Sequence, residues 1–563
     1  MRGGVFQRLT GLETEYVARF RADEDSERPL TFELLQKLAG ELCRRLPLVQ
    51  ADYPKKGYFL ATGGAVWQER PGEGVDHPLI EGSTPECRGA RQLLIYQRAQ
   101  DRLLSTAARD VGGGEFTLCK SDCDAHGNVY GSQENYSVEM AEGRRLAVWR
   151  LGVFFVLLPL MALGWVAIFP LVFALLGYYA LAGGVYLLLL PAIVSIPVKG
   201  RTHVKIREGL FGPWGGELFR FMPGWLAMLV TTYERIIFAP AALALTLLAG
   251  ATAYVQVRRG LLAFLITRTI FTGNGRVWRN GKFRISSKAS GFHLSNGTGI
   301  FRIHSVFSFG PLFKALMFFA IAPGHQKFPS VLDRRQRLHV CLCDSNMCEE
   351  AEYLRIGTAM LVIDAIEAGF AFEIPRLSRP MAALRKIIAD PTLRVRVATA
   401  DGRKMSALEI QRVYLEGCKR FVESRTRVPA DARDVLKRWE AVLDDLESAP
   451  ERLVGRVDWI TKRWLLEQAG AGTSAAARKK IDLRYHELSP EGYFEQLRSA
   501  GVVTSVLSDE EIEAALVTAP PNSPATERGF HIRQLGSGKL VKANWRSVVI
   551  GMPPKVVWMA AES

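Results

Sequence analysis

Residues 337–349 read Arg-Leu-His-Val-Cys-Leu-Cys-Asp-Ser-Asn-Met-Cys-Glu, and this stretch decides the fold prediction. Apolar and polar residues alternate in its first half, which predicts a strand with Arg337 and His339 on one face. Asn346, followed three residues later by Glu349, is typical of a helix N-terminus, and apolar residues continue at helical spacing to Gly369. A strand that brings an arginine and a histidine to a helix N-terminus indicates an anion or phosphate site. A corner whose polar groups only cap the helix is the alternative.

Composition bounds the class of protein. A chain of 563 residues predicts two or three domains, and 48% hydrophobic residues support a large core. The excess of 72 Lys+Arg over 57 Asp+Glu favours an acidic partner or a membrane surface. We expect no nucleic-acid partner, because no RNA-binding aromatic motif or zinc-finger spacing is present. The eight cysteines lack a paired CxxC pattern, which favours reduced thiols over a metal site. The first ten residues hold no apolar segment, so we expect no cleavable signal peptide.

Two glutamates near the N-terminus are candidate metal ligands. The sequence Gly-Leu-Glu-Thr-Glu-Tyr at residues 11–16 places Glu13 and Glu15 on one face of a predicted strand. Two like charges so close are unfavourable unless they are solvated or neutralised by a cation. Oxygen ligands of this kind suit Mg²⁺ that carries nucleotide phosphates. A solvated strand edge is the alternative interpretation.

Several motifs together resemble those of the Pup ligase and Pup deamidase/depupylase family. Residues 11–16 resemble the family's Gly-Ile-Glu-Thr-Glu opening, and residues 340–347 resemble its Val…Gly-Asp-Ser-Asn-Met segment, with Cys343 in place of the glycine. Residues 84–87, 120–136 and 457–463 match further motifs in the family's order. The resemblance implies an α+β fold similar to glutamine synthetase: an antiparallel sheet that cradles ATP, followed by a small C-terminal domain. It implies a carboxylate-amine ligase with ATP and Mg²⁺ as cofactors.

The resemblance also implies roles for individual residues. It assigns the base that accepts a proton from lysine to Glu69, with Asp76 as a competing candidate because the spacing to His77 is longer than in the family. The implied metal ligands are Glu13, Glu15, Glu86 and Glu134. The implied ATP-binding residues are Arg337, His339, Asn346, Trp459 and Arg463. The expected partners are a Pup-like small protein and lysine-bearing protein substrates.

An apolar insertion interrupts the family-like sequence. The run Leu151–Val198 contains no charged residue, and its length predicts two membrane-spanning helices with a reversal near Pro170 or Gly177. A hairpin of core helices is the alternative. Ile236–Tyr254 is a further apolar run. The sequence thus predicts catalytic segments at 1–145 and 258–489, a transmembrane insertion at 146–257, and a C-terminal domain at 490–563.

Basic residues flank the insertion and predict its orientation. Because family-like sequence lies on both sides of it, the number of membrane crossings is expected to be even, two or four. By the positive-inside rule, all three basic flanks are expected in the cytoplasm, so a multi-pass protein of the cytoplasmic membrane would hold its catalytic domain there, in contact with membrane lipid. The flanking basic residues are Arg144, Arg145, Arg150, Lys199, Arg201, Lys205, Arg207, Arg258 and Arg259.

Three alternatives to a Pup ligase remain open at this stage. A deamidase or depupylase would use the same pocket to activate water, although the deamidase branch carries a long extra loop after the Glu13 motif that is absent here. A related ligase would modify another small protein tail or a peptide. A catalytically inactive membrane-bound receptor is the third, because a family segment has no counterpart between Phe328 and Arg337.

Overall fold

The central sheet is built around the first long strand of the chain. The computed structural model describes residues 4–20, 31–52, 55–69, 79–111, 116–124, 128–195, 209–211, 222–278, 281–291, 302–303, 306–321, 331–470, 472–535, 541–551 and 553–559. Within these ranges one sheet has 14 strands, and its principal order is β11-β12-β13-β8-β1-β5-β4-β3-β2-β16-β17-β18. The strands are β1 Leu9–Phe20, β2 Leu48–Ala51, β3 Gly57–Leu60, β4 Ala65–Glu69, β5 Leu79–Ser83, β6 Cys87–Arg88, β7 Phe116–Cys119, β8 Ser132–Glu139, β9 Arg276–Val277, β10 Phe283–Arg284, β11 Arg302–Ile303, β12 Phe307–Ser308, β13 Arg335–Val340, β14 Arg396–Ala398, β15 Lys404–Ser406, β16 Val541–Ala543, β17 Ser547–Ile550 and β18 Lys555–Trp558.

The sheet is mixed rather than purely antiparallel. Among the described strands, the one parallel pairing is that of β16 with β2, which brings Lys542 opposite Gln50. The C-terminal strands thereby extend the main sheet. The helices are α1 Thr31–Cys43, α2 Ala90–Val111, α3 Gly143–Gly152, α4 Leu158–Ser195, α5 Gly224–Thr252, α6 Val255–Thr267, α7 Thr269–Thr272, α8 Ser287–Gly291, α9 Gly310–Ile321, α10 Glu349–Glu367, α11 Pro380–Ile388, α12 Ala407–Glu423, α13 Ala430–Ser448, α14 Asp458–Gln468, α15 Ala475–Arg484, α16 Tyr493–Ser499, α17 Asp509–Val517 and α18 Pro524–Leu535.

Side chains of strand β1 point alternately to a helix-covered face of the sheet and to a polar face. Its residues alternate between buried and half-buried, as the period of two requires. Leu12 and Tyr16 are buried on the side of helix α2, and the Tyr16 hydroxyl donates a 2.6 Å hydrogen bond to Asp101 of that helix. Glu13 and Glu15 therefore lie on the opposite side, which we call the polar face.

Helix α10 is a core helix, as the predicted strand-to-helix pattern required, but it is not capped as predicted. Asn346 does not cap it: Cys348 is the N-cap residue and makes no side-chain cap. The carboxylate of Asp458 instead accepts hydrogen bonds from the backbone N–H groups of Met347 and Cys348, both at 3.0 Å. The Asp458 carboxylate, from α14, thus stabilises the positively polarised N-terminus of α10 in place of the predicted cap.

A buried ionic network joins α10 to the sheet. Glu352 is fully buried and accepts hydrogen bonds from Lys120 at 3.1 Å, Arg98 at 2.7 Å and Arg355 at 2.8 Å. Burial alone would raise the pKa of the Glu352 carboxyl, but the three cations outweigh burial and lower the pKa to about 2. Glu352 is therefore ionised throughout the neutral range, and its partners depend on that charge.

The long apolar run forms one helix, so the predicted reversal inside it is wrong. Residues 143–195 are continuous through α3, a π-helical turn at Val153–Leu157 and α4, and both Pro170 and Gly177 lie within α4. Proline is tolerated in apolar helices when neighbouring groups satisfy the freed carbonyl. Hydropathy alone did not reveal that the helix continues.

Helix α5 runs antiparallel to this long helix. The Trp165 and Phe238 rings lie 5.6 Å apart, and the Tyr178 and Trp225 rings lie 5.7 Å apart. Both helices are long and apolar enough to cross a membrane, a property that core helices of soluble proteins can share. In their most apolar 18-residue windows, however, only 22% and 33% of the residues are buried, whereas a core helix is mostly buried.

Glu352 provides a test of the buried network. We expect Glu352→Gln to lower the free energy of unfolding at neutral pH by about 3–5 kcal/mol, since it leaves buried cations without a partner. Because the folded-state pKa lies below the ordinary value of about 4.5, this stabilisation is complete above pH ~4.5 and is lost as the pH falls toward 2. Chemical unfolding of both proteins at several pH values measures the difference.

Glu416→Gln is the matched control, because Glu416 forms an exposed ion pair with Lys419. Its effect should stay within about 1 kcal/mol at every pH. A Glu352→Gln protein as stable as the parent at pH 7 would contradict the importance of the network.

Candidate active site

Strand register places the carboxylates of Glu13, Glu15 and Glu81 on the same face of the sheet, the polar face. Glu13 lies opposite Ser83 of β5 and opposite Gln133 of β8, while Glu15 lies opposite Glu81. Residues that face each other across antiparallel strands point to the same side of the sheet. Lys55 lies over this group, and its Nζ donates to Glu81 Oε2 at 2.5 Å. The polar face therefore combines clustered negative charge with a nearby ammonium group.

Strand β13 adds basic side chains to the same face. His339 lies opposite Asn135 of β8, and its Nδ1 is 2.8 Å from Asn135 Oδ1. Arg337 donates from Nε to Asn135 Oδ1 at 2.6 Å and from Nη2 to Glu13 Oε1 at 2.7 Å. The structure therefore brings Glu13, Arg337 and His339 together, and Asn135 orients the two basic side chains.

The charges around Glu13 keep it ionised. Burial would raise the pKa of the Glu13 carboxyl, but the nearby cations Arg337, His339, Lys55 and Lys314 outweigh burial and lower it. Lys314 comes from α9, which follows strand β12. An ionised carboxylate among cations can bind a metal ion, and the cations can bind phosphate oxygens.

Glu69 has a backbone position on the polar face. It pairs with Leu79 of β5, which in turn pairs with Val17 of β1, one row beyond Glu15 and Glu81. Its side chain lies outside the part of the structure that can be described, and so do Asp76 and His77. The assignment of the base to Glu69 or Asp76 stays a prediction.

Glu134 lies on the wrong face for the predicted metal site. It pairs with Leu12, so its side chain points to the helix-covered side. There it is fully buried and accepts hydrogen bonds from Arg268 Nη2 at 2.8 and 2.9 Å and from the Tyr136 hydroxyl at 2.9 Å. Two arginines (Arg355 is the second, at 3.6 Å) already neutralise this carboxylate. The predicted metal role of Glu134 is therefore corrected to a structural one.

Glu86 is also bonded to a residue outside the predicted metal site. Both of its carboxylate oxygens accept hydrogen bonds from Arg528, a fully buried residue of α18. Arg528 also donates to the Gly63 carbonyl at 2.6 Å, in the turn between β3 and β4. Glu86 thus fastens the C-terminal helix to the sheet, and none of its described contacts reaches Glu13 or Glu15.

Two of the predicted ATP-binding residues are part of the core. Asn346 is fully buried, and its Nδ2 donates to the Thr272 carbonyl at 3.0 Å and to Asp458 at 2.9 Å. Trp459 is buried, and its Nε1 donates to the Ile270 carbonyl at 2.8 Å. None of their described contacts reaches Arg337 or His339, so these positions do not fit direct nucleotide contact at the polar face.

Arg463 is exposed but lies apart from the cluster around Glu13. It pairs with Glu467 at 2.8 Å and lines a cleft of about 530 Å³. The cleft carries further basic side chains from other elements: Lys282, Arg284 and Arg478. None of the described contacts of Arg463 reaches the polar face.

Several functional candidates were not predicted. Asn135 was visible in the 120–136 motif, but only the structure shows that it bridges Arg337 and His339. Glu81, Lys55 and Lys314 reach the site through strand pairing and helix packing between distant segments. No local sequence pattern encodes that pairing.

The polar face suits a magnesium ion that would be bound partly by protein carboxylates and partly by nucleotide phosphates. Within the described ranges, no group of three or more His, Cys, Asp or Glu side chains is close enough to hold a metal by itself. Mg²⁺ in nucleotide sites is commonly bound by one or two carboxylates together with waters and phosphates. Glu13 and Glu15 supply such a carboxylate pair, and Arg337 and His339 supply partners for the phosphates.

Comparison with known proteins agrees with this architecture. The family model described as Pup-ligase protein matches residues 8–549. The Pup deamidase/depupylase of Mycobacterium tuberculosis is 30% identical over 519 residues, which cover 90% of this chain and 77% of that protein. The depupylase of Acidothermus cellulolyticus is 31% identical over 54% of this chain and 59% of its own length. The Pup–protein ligase of Mycolicibacterium smegmatis is 32% identical over 50% of this chain and 62% of its own length.

Two solved structures share the fold. The ligase PafA in complex with the prokaryotic ubiquitin-like protein Pup aligns with a TM-score of 0.65 and 22% identity, covering 98% of this chain and 88% of that one. PafA in complex with ADP aligns with a TM-score of 0.58 and 21% identity, covering 96% and 93%. The extent of the family match and of the mycobacterial similarity identify this chain as a member of the Pup-ligase family.

Proposed function

We propose that this chain is an ATP-dependent ligase that joins the C-terminal glutamate side chain of a Pup-like small protein to lysine side chains of other proteins. The observation that carries the proposal is the cluster on the polar face, where ionised Glu13 lies 2.7 Å from Arg337 beside His339. Membership of the Pup-ligase family supports it, and so does the likeness of the fold to a ligase that binds Pup and ADP.

The residues of the polar face can perform distinct parts of this chemistry. ATP would phosphorylate the substrate glutamate, and the lysine amine would then displace phosphate to form the isopeptide bond. Arg337 and His339 would offset charge on the transferring phosphoryl oxygens. When bound, Mg²⁺ would supply further neutralisation of the phosphates, held by Glu13 and Glu15. Glu69 or Asp76 would accept the proton that the lysine ammonium must lose before it attacks.

A depupylase is the second candidate, and one observation favours it. The match to the mycobacterial deamidase/depupylase covers 90% of this chain, whereas the match to the mycobacterial ligase covers 50%. The same polar face would then activate water against the isopeptide bond. The ligase remains the preferred proposal because, on the family resemblance, the deamidase branch carries a long extra loop between the strands that correspond to β1 and β2. Here the interval spans residues 21–47, and among its described residues, 31–47, α1 is the one helix.

We further propose that α4 and α5 anchor the protein in a membrane. Most of the exposed large apolar side chains of the described residues lie on these helices, the π-helical turn and α3; Leu163, Phe173 and Ile236 are each more than 60% exposed. Burying this surface in hydrocarbon would stabilise the protein by about 25 cal/mol for each Å² of apolar surface removed from water. Both helices are long enough to cross the hydrocarbon core.

The antiparallel helices fit two crossings, with the catalytic domain in the cytoplasm. Arg144, Arg145 and Arg259 lie at the domain side of the helices, as the positive-inside rule favours. Two crossings would place residues between Ser195 and Gly224 on the far side. The sequence prediction put the basic run Lys199–Arg207 in the cytoplasm instead; those residues lie outside the described part of the structure.

Glu13 and Glu134 together test the metal assignment. We expect Glu13→Gln to weaken Mg-ATP binding by roughly 10–100-fold, because it removes a charged oxygen ligand. We expect Glu134→Gln to leave the affinity of the folded protein unchanged and to lower the free energy of unfolding by about 3–5 kcal/mol instead. Calorimetric titration and chemical unfolding of both variants separate the two effects. Unchanged nucleotide affinity in Glu13→Gln would return Glu13 to a solvated strand edge.

Conjugation assays test the direction of the reaction and the base. With ATP and a Pup protein that ends in Gly-Gly-Glu, we expect the parent chain to form lysine conjugates. Glu69→Gln should lower the conjugation rate by roughly 10²–10⁴-fold while the phosphorylated tail still forms, because only the proton acceptor is lost. Asp76→Asn is the matched comparison. A loss that follows Asp76 would shift the base to that residue.

Two other outcomes decide against the ligase. ATP-dependent or nucleotide-dependent cleavage of preformed conjugates, without conjugate formation, would establish the depupylase instead. Tight binding of the Pup protein with neither reaction would establish the receptor.

Membrane anchoring is tested by fractionation. We expect the full chain to stay with membranes after an alkaline wash and to be released by detergent, because the apolar surface of α4 and α5 is costly to expose to water. A tag inserted after residue 195 should be accessible only from the side opposite the catalytic domain. Recovery of the full chain in the soluble fraction would refute the anchor.

A further inference from the structure

The two apolar helices are joined to the catalytic domain rigidly, without a flexible linker. Trp149, Val153, Leu157 and Met161 form a stripe at four-residue spacing on the long helix, and all four are fully buried in the main hydrophobic cluster, which joins the core of the domain to α5. The Trp149 indole Nε1 also donates to the Val331 carbonyl at 2.9 Å. One continuous helix thus extends from inside the domain to the exposed apolar surface, so the domain is held at a fixed height.

The exit from helix α5 is equally tight. Tyr254 follows the end of α5 by two residues, and its backbone N–H donates to the Met140 carbonyl at 2.6 Å. Its hydroxyl donates to the carbonyl of Arg337 at 3.0 Å. The polar face and the second apolar helix are therefore connected through a single side chain.

A short strand-and-helix unit gives a second connection between the polar face and the apolar helices. Ser308 of β12 lies opposite His339, and α9 begins two residues later. Lys314 of α9 acts electrostatically on Glu13. On the same helix, Phe313 lies 6.3 Å from Phe238, measured between ring centroids.

Helix α9 also fixes the distance between the site and the apolar surface. Its Met317 carbonyl accepts a hydrogen bond from Trp165 Nε1 at 3.2 Å. The exposed apolar surface begins nearer the domain, at Leu151 of α3 and Leu247 of α5, and continues past this level through Leu163 and Ile236. A 12-residue helix is roughly 18 Å long. His339 and its neighbours therefore lie within about one short helix of the proposed hydrocarbon boundary.

From this geometry we infer that the preferred protein substrates are proteins held at the same membrane, modified at lysines close to its cytoplasmic surface; the inference rests on the proposed ligase and its membrane anchor. A rigidly mounted site samples only a thin layer beside the bilayer. A substrate confined to that layer has a much higher effective concentration than one dissolved in the cytoplasm. Cytoplasmic segments next to membrane spans are also enriched in lysine, so reactive amines are abundant there.

The test compares one reporter protein at several heights above the bilayer. The full chain is reconstituted in phosphatidylcholine/phosphatidylglycerol vesicles that also contain a nickel-chelating lipid. A His-tagged reporter with a single accessible lysine binds the lipid through lysine-free helical spacers of about 5 or 40 residues, the longer lifting the lysine by roughly 60 Å. The initial rate of conjugation to a Pup protein ending in Gly-Gly-Glu is measured with and without imidazole, which releases the reporter.

For the reporter with the short spacer, we expect anchored protein to be conjugated at least tenfold faster than released protein. When both reporters are anchored, the short spacer should give a rate at least tenfold higher than the long spacer. The preference should vanish in detergent, where enzyme and substrate no longer share a surface. Equal rates for anchored and released reporter, with conjugates forming in both, would overturn this inference and leave the proposed ligase intact. No conjugate in any arm, detergent included, would overturn the proposed function and the inference together.

Discussion

Arg355 is the side chain on which the arrangement of the whole catalytic half depends. It donates to Glu352 at 2.8 Å and to the Asp344 carbonyl at 2.8 Å, and it lies 3.6 Å from Glu134. One buried guanidinium therefore ties α10, the corner that follows β13, and strand β8. A shift of the observed strand register would leave buried charges of this network without partners, which is costly. That register places the opposite, polar side chains of β1, β8 and β13 beside one another.

The alternation of β1 and the strand-to-helix pattern near residue 340 could be predicted from sequence, because both signals are local. The partners of those elements could not. Glu134 and Asn135 are adjacent in a recognisable motif, yet Glu134 pairs with Arg268 in the core and Asn135 orients Arg337 in the site. A motif assigns a residue to a region, but a shift of one residue along a strand changes its face. Glu81 joined the site only through its pairing with Glu15.

The apolar insertion shows a second limit of sequence reasoning. A hydropathy profile gives the length of an apolar segment but does not show whether the chain reverses within it. One helix through residues 143–195 and a hairpin therefore give the same profile. What distinguishes them is packing: Trp149 is fixed in the domain core, while Trp165 lies against Phe238 of a second helix. These contacts also make the insertion part of the catalytic domain at one end, so its removal at the sequence boundaries would strip buried side chains from the core.

The pairing of Glu13 with Arg337 bears on how the polar face would accept a nucleotide under the proposed function. Burial alone would favour a neutral Glu13, and the surrounding cations reverse that preference. Arg337 is 41% exposed and keeps a second partner in Asn135, so it can turn toward phosphate without losing every hydrogen bond. Arrival of a magnesium ion with phosphate would then replace one cation at Glu13 by another, and Arg337 would gain the anion it needs. Each group would exchange one partner for another of the same sign, so neither Glu13 nor Arg337 would be left without an opposite charge.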